Sequence, residues 1–126
     1  MRDEVEKLAA RRARFREMGG ADRVERQRGK GKLDARARIE RLLDAGSFVE
    51  LGLLATDRGQ LESEWPRPSP ADGVITGTGR VDGRLIAVAA YDFTVYGGSI
   101  GEVGEVKLTR LRELALRQRI PMVWLI

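Results

Sequence analysis

The stretch from Arg84 to Phe93, R-L-I-A-V-A-A-Y-D-F, constrains this chain more than any other, because it is apolar at nearly every position. A half-exposed strand alternates apolar with polar side chains. An unbroken apolar run of this length fits a strand covered on both faces and lying centrally in its sheet. The preceding run, Gly73 to Val81, reads as a second strand, joined to the first through Asp82-Gly83. That dipeptide suits a type I′ turn, which needs positive φ at both central residues.

Beyond the hairpin, the chain completes an α/β unit. Residues 94–98 (T-V-Y-G-G) form a loop, and Ser99 to about Gln118 is the strongest helical pattern in the chain. Ser99 and Glu102 have capping-box spacing, Leu108, Leu111, Leu114 and Ala115 form the apolar stripe, and Arg117 and Arg119 oppose the negative end of the helix dipole. Pro121 ends the run, and Met122 to Ile126 (M-V-W-L-I) is expected to be a buried strand. Hairpin, helix, strand implies a right-handed crossover onto a parallel neighbour. An apolar strand that stops at Ile126 with no turn or polar cap is expected to be a truncation inside the sheet.

The first third is different in kind. Residues 1–43 carry 14 Lys and Arg against 8 Asp and Glu, whereas residues 44–126 carry 9 against 11. Residues 3–18 read as a helix with Val5, Leu8, Phe15 and Met18 on one stripe, ended by Gly19-Gly20. Asp22 with Glu25 would start a short helical turn, and Gly29-Lys30-Gly31-Lys32 is a flexible basic connector. Asp34 is a good N-cap for a helix with Ala35, Ile39, Leu42 and Leu43 on one side, closed by Gly46. Residues 47–51 (S-F-V-E-L) read as a short strand. Residues 55–71 hold three of the four prolines, in W-P-R-P-S-P, and read as a loop and a boundary. The expected organisation is therefore a basic helical leader with a short strand (1–54), a Pro-rich loop (55–71), and the start of an α/β core (72–126).

Composition narrows the chemistry. The chain has no cysteine and no histidine, which excludes disulfides, thiolate metal sites, a cysteine nucleophile and an imidazole base. No metal site is expected. No apolar run approaches the roughly 18 residues that a membrane span needs, the charged N-terminus does not read as a secretory segment, and a cytoplasmic protein is expected. The basic leader could face an anion such as nucleic acid or a phosphorylated cofactor, or could be a solvated, salt-bridged arm. Nucleic-acid binding is disfavoured, because aromatic residues do not interleave the basic ones. Gly77-Thr78-Gly79 followed by Gly83 fails as a dinucleotide fingerprint, on spacing and because it leads into a hairpin. Gly97-Gly98-Ser99-Ile100-Gly101 is better placed, between a buried strand and a helix, where backbone can approach a ligand closely and helix N–H groups can meet an anion. A plain strand-to-helix turn explains the same residues.

The run from Ala71 to Val103, A-D-G-V-I-T-G-T-G-R-V-D-G-R-L-I-A-V-A-A-Y-D-F-T-V-Y-G-G-S-I-G-E-V, resembles the N-terminal carboxyltransferase domain of propionyl-CoA carboxylase beta subunits and their relatives. Gln27 to Leu33 (Q-R-G-K-G-K-L) and Arg36 to Glu50 (R-A-R-I-E-R-L-L-D-A-G-S-F-V-E) resemble that family's opening segment. Arg28 and Gly104 stand where many relatives have histidine, and Asp34 replaces a common threonine. No four-cysteine ribbon precedes the domain, which disfavours the bacterial acetyl-CoA carboxylase beta subunit.

The resemblance implies part of a crotonase-like fold of repeated ββα units. It implies transfer of a carboxyl group from carboxybiotin to an acyl-CoA of the propionyl, acetyl or methylcrotonyl class, with backbone N–H groups stabilising the oxyanions. Biotin would arrive on a separate carrier domain or subunit. The partners implied are the acyl-CoA, the biotin carboxylase and carrier subunits, and further beta subunits in a homo-oligomer. The family's oxyanion glycines would lie beyond Ile126, so no catalytic residue is assigned here, and the chain alone is expected to be inactive. Gly97, Gly98 and Ser99 are expected to line the acyl-CoA pocket. Lys30 and Lys32 are candidates for CoA phosphate contacts, while Arg36 and Arg38 are expected to make only salt bridges. A decarboxylase subunit running the transfer in reverse, or a non-catalytic assembly module, fits the same residues.

Overall fold

A computed structural model describes residues 1–57 and 69–126. The Pro-rich motif Trp65-Pro66-Arg67-Pro68 falls outside the described residues. Helices α1 (Arg2–Arg16), α2 (Ala21–Gly29) and α3 (Ala35–Leu42) precede strand β1 (Val49–Leu51). Strands β2 (Val74–Val81) and β3 (Arg84–Tyr91), helix α4 (Glu102–Gln118) and strand β4 (Met122–Leu125) come after it, with short 3-10 turns at Pro70–Gly73 and Tyr96–Gly98.

The four strands form one sheet in the order β1-β2-β3-β4. β1, β2 and β3 pair antiparallel, and β3 pairs with β4 in parallel, with Ala87 opposite Met122. Asp82 and Gly83 take φ of 49° and 79°, as the type I′ turn requires. The Asp44 carboxylate accepts from both of their amides and ties the end of α3 to the hairpin tip.

The run Leu85–Ala90 is covered on both faces, as its composition dictates. On one face Ile75, Ile86, Val88 and Ala90 pack against Met18, Val24, Ala35, Ile39 and Leu43 from the leader. On the other, Val74, Ala87 and Ala89 pack under Leu108, Leu111 and Ala115 of α4. Small side chains at Ala87, Ala89 and Ala90, all fully buried, let the helices approach the sheet closely. Asp34 caps α3, its carboxylate accepting from the Ala37 amide at 2.9 Å.

Several expectations change. Ser99 does not cap the long helix. α4 begins at Glu102 with Gly101 at its N-cap and no side-chain cap from its own segment. The buried Asp72 takes that role from across the fold, its carboxylate accepting from the Gly104 amide at 2.7 Å. Asp22 and Glu25 form no capping box either. α2 starts behind Gly20 and runs nine residues, longer than the short turn expected. The first helix ends with left-handed φ at Met18 (56°) rather than at Gly19. Only Met18, beyond the helix end, carries its stripe into the core; Val5 and Leu8 are 61% and 46% exposed and α1 itself buries no residue. β4 is not buried. Among the described residues it pairs only with β3 and forms a sheet edge, leaving Trp124 half-exposed and Ile126 exposed.

Candidate functional site

The loop between β3 and α4 carries the site. Tyr96, Gly97 and Gly98 adopt positive φ in succession, at 52°, 62° and 91°. Glycine takes such angles without strain, which accounts for two of the three positions. A Cβ on Gly98 would press on the Phe93 ring at 3.1 Å, whereas one on Gly97 would enter open space. That space is a cleft of about 670 Å³ between the loop and the leader. Gly97, Gly98 and Phe93 line it from the loop, and Lys32, Leu33 and Arg38 line it from the leader.

A smaller groove of about 200 Å³ adjoins it, lined by Arg23, Arg26, Lys30, Thr94 and Gly97. The structure thus brings Gly97, Gly98 and Lys32 into one cleft and Lys30 beside it. Ser99 lines neither. The side chains of Arg26, Lys30 and Lys32 have no ion-pair or hydrogen-bond partner among the described residues. Arg36 and Arg38 separate. Arg36 pairs in a fork with Glu50 at 2.9 and 3.0 Å, the expected salt bridge. Arg38 pairs with no carboxylate among the described residues, reaches only the Ile126 carbonyl at 3.3 Å, and lines the cleft.

Two buried carboxylates border this space. Asp34, 2% exposed, is opposed by burial, yet the Ala37 amide and the Arg28 guanidinium outweigh that and hold its carboxyl below the usual range. Asp92 is 1% exposed, and burial pushes its carboxyl up, outweighing the hydrogen bonds from Thr94 and the charge of Arg36. Its Oδ1 accepts from the Thr94 amide at 2.9 Å and hydroxyl at 2.6 Å. Sequence reasoning missed Arg38, Asp92 and Thr94 as site residues, because the α3–loop juxtaposition that makes them neighbours has no local signal. Among the described residues no cluster of three acidic groups could hold a metal ion.

The departures from the family pattern have structural partners. Arg28 neutralises Asp34 at 2.7 Å. A Cβ at Gly104 would meet the Asp72 carbonyl at 2.7 Å, so any side chain there requires the Asp72 turn to shift. Unneutralised cations facing exposed glycine backbone and an aromatic ring suit a ligand with phosphates, amides and a flat or apolar part. They do not constitute acid–base machinery.

The carboxyl transferase domain profile matches residues 26–126. The propionyl-CoA carboxylase carboxyltransferase subunit of Haloferax mediterranei is 41% identical over 125 residues, covering 99% of this chain and 24% of that protein. The methylmalonyl-CoA decarboxylase subunit alpha of Veillonella parvula is 38% identical over 123 residues, covering 98% of this chain and again 24% of the relative. Among solved structures, a transcarboxylase 12S hexamer with methylmalonyl-CoA and methylmalonic acid bound superposes with a TM-score of 0.87 at 40% identity, covering 98% of this chain and 24% of that one. The chain therefore spans about a quarter of the length of these relatives.

Proposed function

The chain belongs to the carboxyl transferase domain family, with its mixed α/β crotonase-like fold, and on that premise we propose that it builds part of the acyl-CoA site of a biotin-dependent carboxyltransferase. One observation carries this reading. Exposed backbone at Gly97 and Gly98 shares a cleft with Lys32 and Arg38, and Lys30 and Arg26, unpaired among the described residues, stand in the adjoining groove.

In this reading Gly97 and Gly98 let the pantetheine arm of a CoA ester pass against bare backbone. Lys30, Lys32 and Arg38 hold its phosphates, and Phe93 offers a ring face. Ser99 is withdrawn from direct contact to a supporting place in the loop. The reaction is carboxyl transfer between biotin and an acyl-CoA. The donor set described here fits the CoA ester, and no residue is assigned to biotin. Biotin, when bound, supplies the carboxyl group and would come on a separate carrier. This chain's residues bind and orient the acceptor. They act in the cytoplasm, within an oligomer of like subunits that meets a biotin carboxylase and carrier component.

Transfer in the opposite direction is a second reading, motivated by the 38% identity to a methylmalonyl-CoA decarboxylase subunit. The binding role of these residues is the same in both. Calorimetric titration of the chain with propionyl-CoA tests the proposal. Binding is expected, it should weaken steeply with added salt, and Lys32→Ala with Arg38→Ala should reduce affinity on the order of tenfold or more, as expected for lost charge-assisted contacts. Binding indifferent to salt and to both substitutions contradicts it.

A further inference from the structure

The glycine loop and the leader are joined at Thr94. This residue, 6% exposed, donates its hydroxyl to Asp92 Oδ1 at 2.6 Å and accepts from the Gly19 amide on the same oxygen at 2.9 Å. Its carbonyl accepts from Arg23 at 3.3 Å. A Cβ at Gly19 would collide with that carbonyl, so the α1–α2 joint sits directly on the loop. Thr94 also lines both the cleft and the groove. Further along the loop, Tyr96 donates to the buried Asp72 at 3.4 Å while holding a left-handed φ that a bulky residue rarely keeps unaided.

We propose that Thr94 is a positioning residue: through the Asp92–Thr94–Gly19 chain it locks the glycine loop to the basic leader, so that the bare backbone and the cations hold one fixed separation. The inference deepens the acyl-CoA reading and rests on it for the ligand, but the mechanical coupling stands on the hydrogen bonds alone. The leader is then a structural half of the binding site rather than a solvated arm. Without the hydroxyl, Asp92 Oδ1 keeps one partner and the Gly19 amide loses its acceptor. The loop and the joint should loosen together.

The test is amide hydrogen exchange on the 126-residue chain, comparing Thr94→Val, which is isosteric, with Thr94→Ser, which keeps the hydroxyl. Thr94→Val should accelerate exchange in two segments separated in sequence, Gly19–Val24 and Val95–Gly98, while β3 core amides change little. Thr94→Ser should restore both. Arg23→Ala, a surface change that leaves the hydroxyl in place, should give a smaller acceleration in the same two segments, and it carries the test if Thr94→Val does not fold. Acceleration in one segment only, or a uniform rise across the core, overturns the coupling. On the ligand side, the CoA dissociation constant should rise on the order of tenfold in Thr94→Val, the equivalent of one buried hydrogen bond, and recover in Thr94→Ser. If the native chain binds CoA and Thr94→Val binds it equally well, the positioning role is wrong. If the native chain binds no CoA, the acyl-CoA reading fails by itself, and the exchange data still decide the coupling.

Discussion

Replacing Asp72 with alanine probes how the long helix is held at its N-terminus. Asp72 is fully buried, and its Oδ2 accepts from the Gly104 amide, the third residue of α4, at 2.7 Å. Removing the carboxylate orphans a buried N–H, which costs about 1.5–3 kcal/mol for a charge-assisted bond. It also removes an anion from the positive end of a helix dipole, worth roughly 0.3–2 kcal/mol in a partly buried setting. The two overlap, so about 2–4 kcal/mol is expected. Position 72 also has φ of 50°, which asparagine and aspartate tolerate better than alanine. Asp72→Asn keeps an acceptor and that tolerance, and should cost roughly 1 kcal/mol. Ser99→Ala removes no cap from α4 and should stay within about 0.5 kcal/mol, the range of ordinary surface changes. For a chain of this size, each kcal/mol moves Tm by roughly 3–5 °C. Calorimetry should therefore show a drop of about 6–20 °C for Asp72→Ala, one of about 3–5 °C for Asp72→Asn, and almost none for Ser99→Ala. A larger drop for Ser99→Ala than for Asp72→Ala would refute this capping scheme.

Two further outcomes concern buried charge. Burial lowers the Lys107 ammonium from the usual 10.5 to about 8, while its Nζ donates to the carbonyls of Ala71 and Val74. Its folded pKa lies below its unfolded one, so between about 8 and 10.5 the unfolded chain holds more protons and stability rises with pH. Tm measured from about pH 7.5 to about 10 should climb more steeply for the native chain than for Lys107→Met, and parallel slopes would contradict this. Arg36 and Glu50, 19% and 11% exposed, form a forked pair. Breaking it from either side should cost roughly 3 kcal/mol, and the Arg36→Leu/Glu50→Leu double variant should lose clearly less than the two single losses combined. Additive losses would show that the pair contributes no coupling.

The sheet was legible where the signal is local. The unbroken apolar run of β3 foretold its central place, Asp82-Gly83 foretold the turn, and Asp34 foretold the cap of α3. The α4 cap was not legible, because its partner Asp72 lies 32 residues from Gly104 and only the hairpin's return brings them together. Ser99 and Glu102 have the right spacing, but the helix starts only at Glu102 behind Gly101, so Ser99 lies two residues outside the N-cap position. The periodicity of α1 was a true helical signal, yet periodicity does not specify what covers the stripe, and Val5 and Leu8 stay exposed. At the candidate site, the glycine motif and the family resemblance together pointed to Gly97, Gly98, Ser99, Lys30 and Lys32. Nothing local distinguishes Arg38 from any other helix arginine; its place opposite the glycine loop does. Thr94 reads as an ordinary loop residue, and only the tertiary fold sets Gly19 against it.

The most direct test of the acyl-CoA site is to titrate propionyl-CoA into the isotope-labelled chain and follow amide resonances. Shifts should concentrate on Thr94–Gly98, Lys30–Leu33 and Arg38. Gly97→Asn, which keeps the left-handed backbone at little cost and points a side chain into the open cleft, should preserve the spectrum and suppress those shifts. Shifts confined to the opposite face, around Arg110 and Arg117 of α4, or undiminished shifts in Gly97→Asn, would contradict the assignment of this cleft.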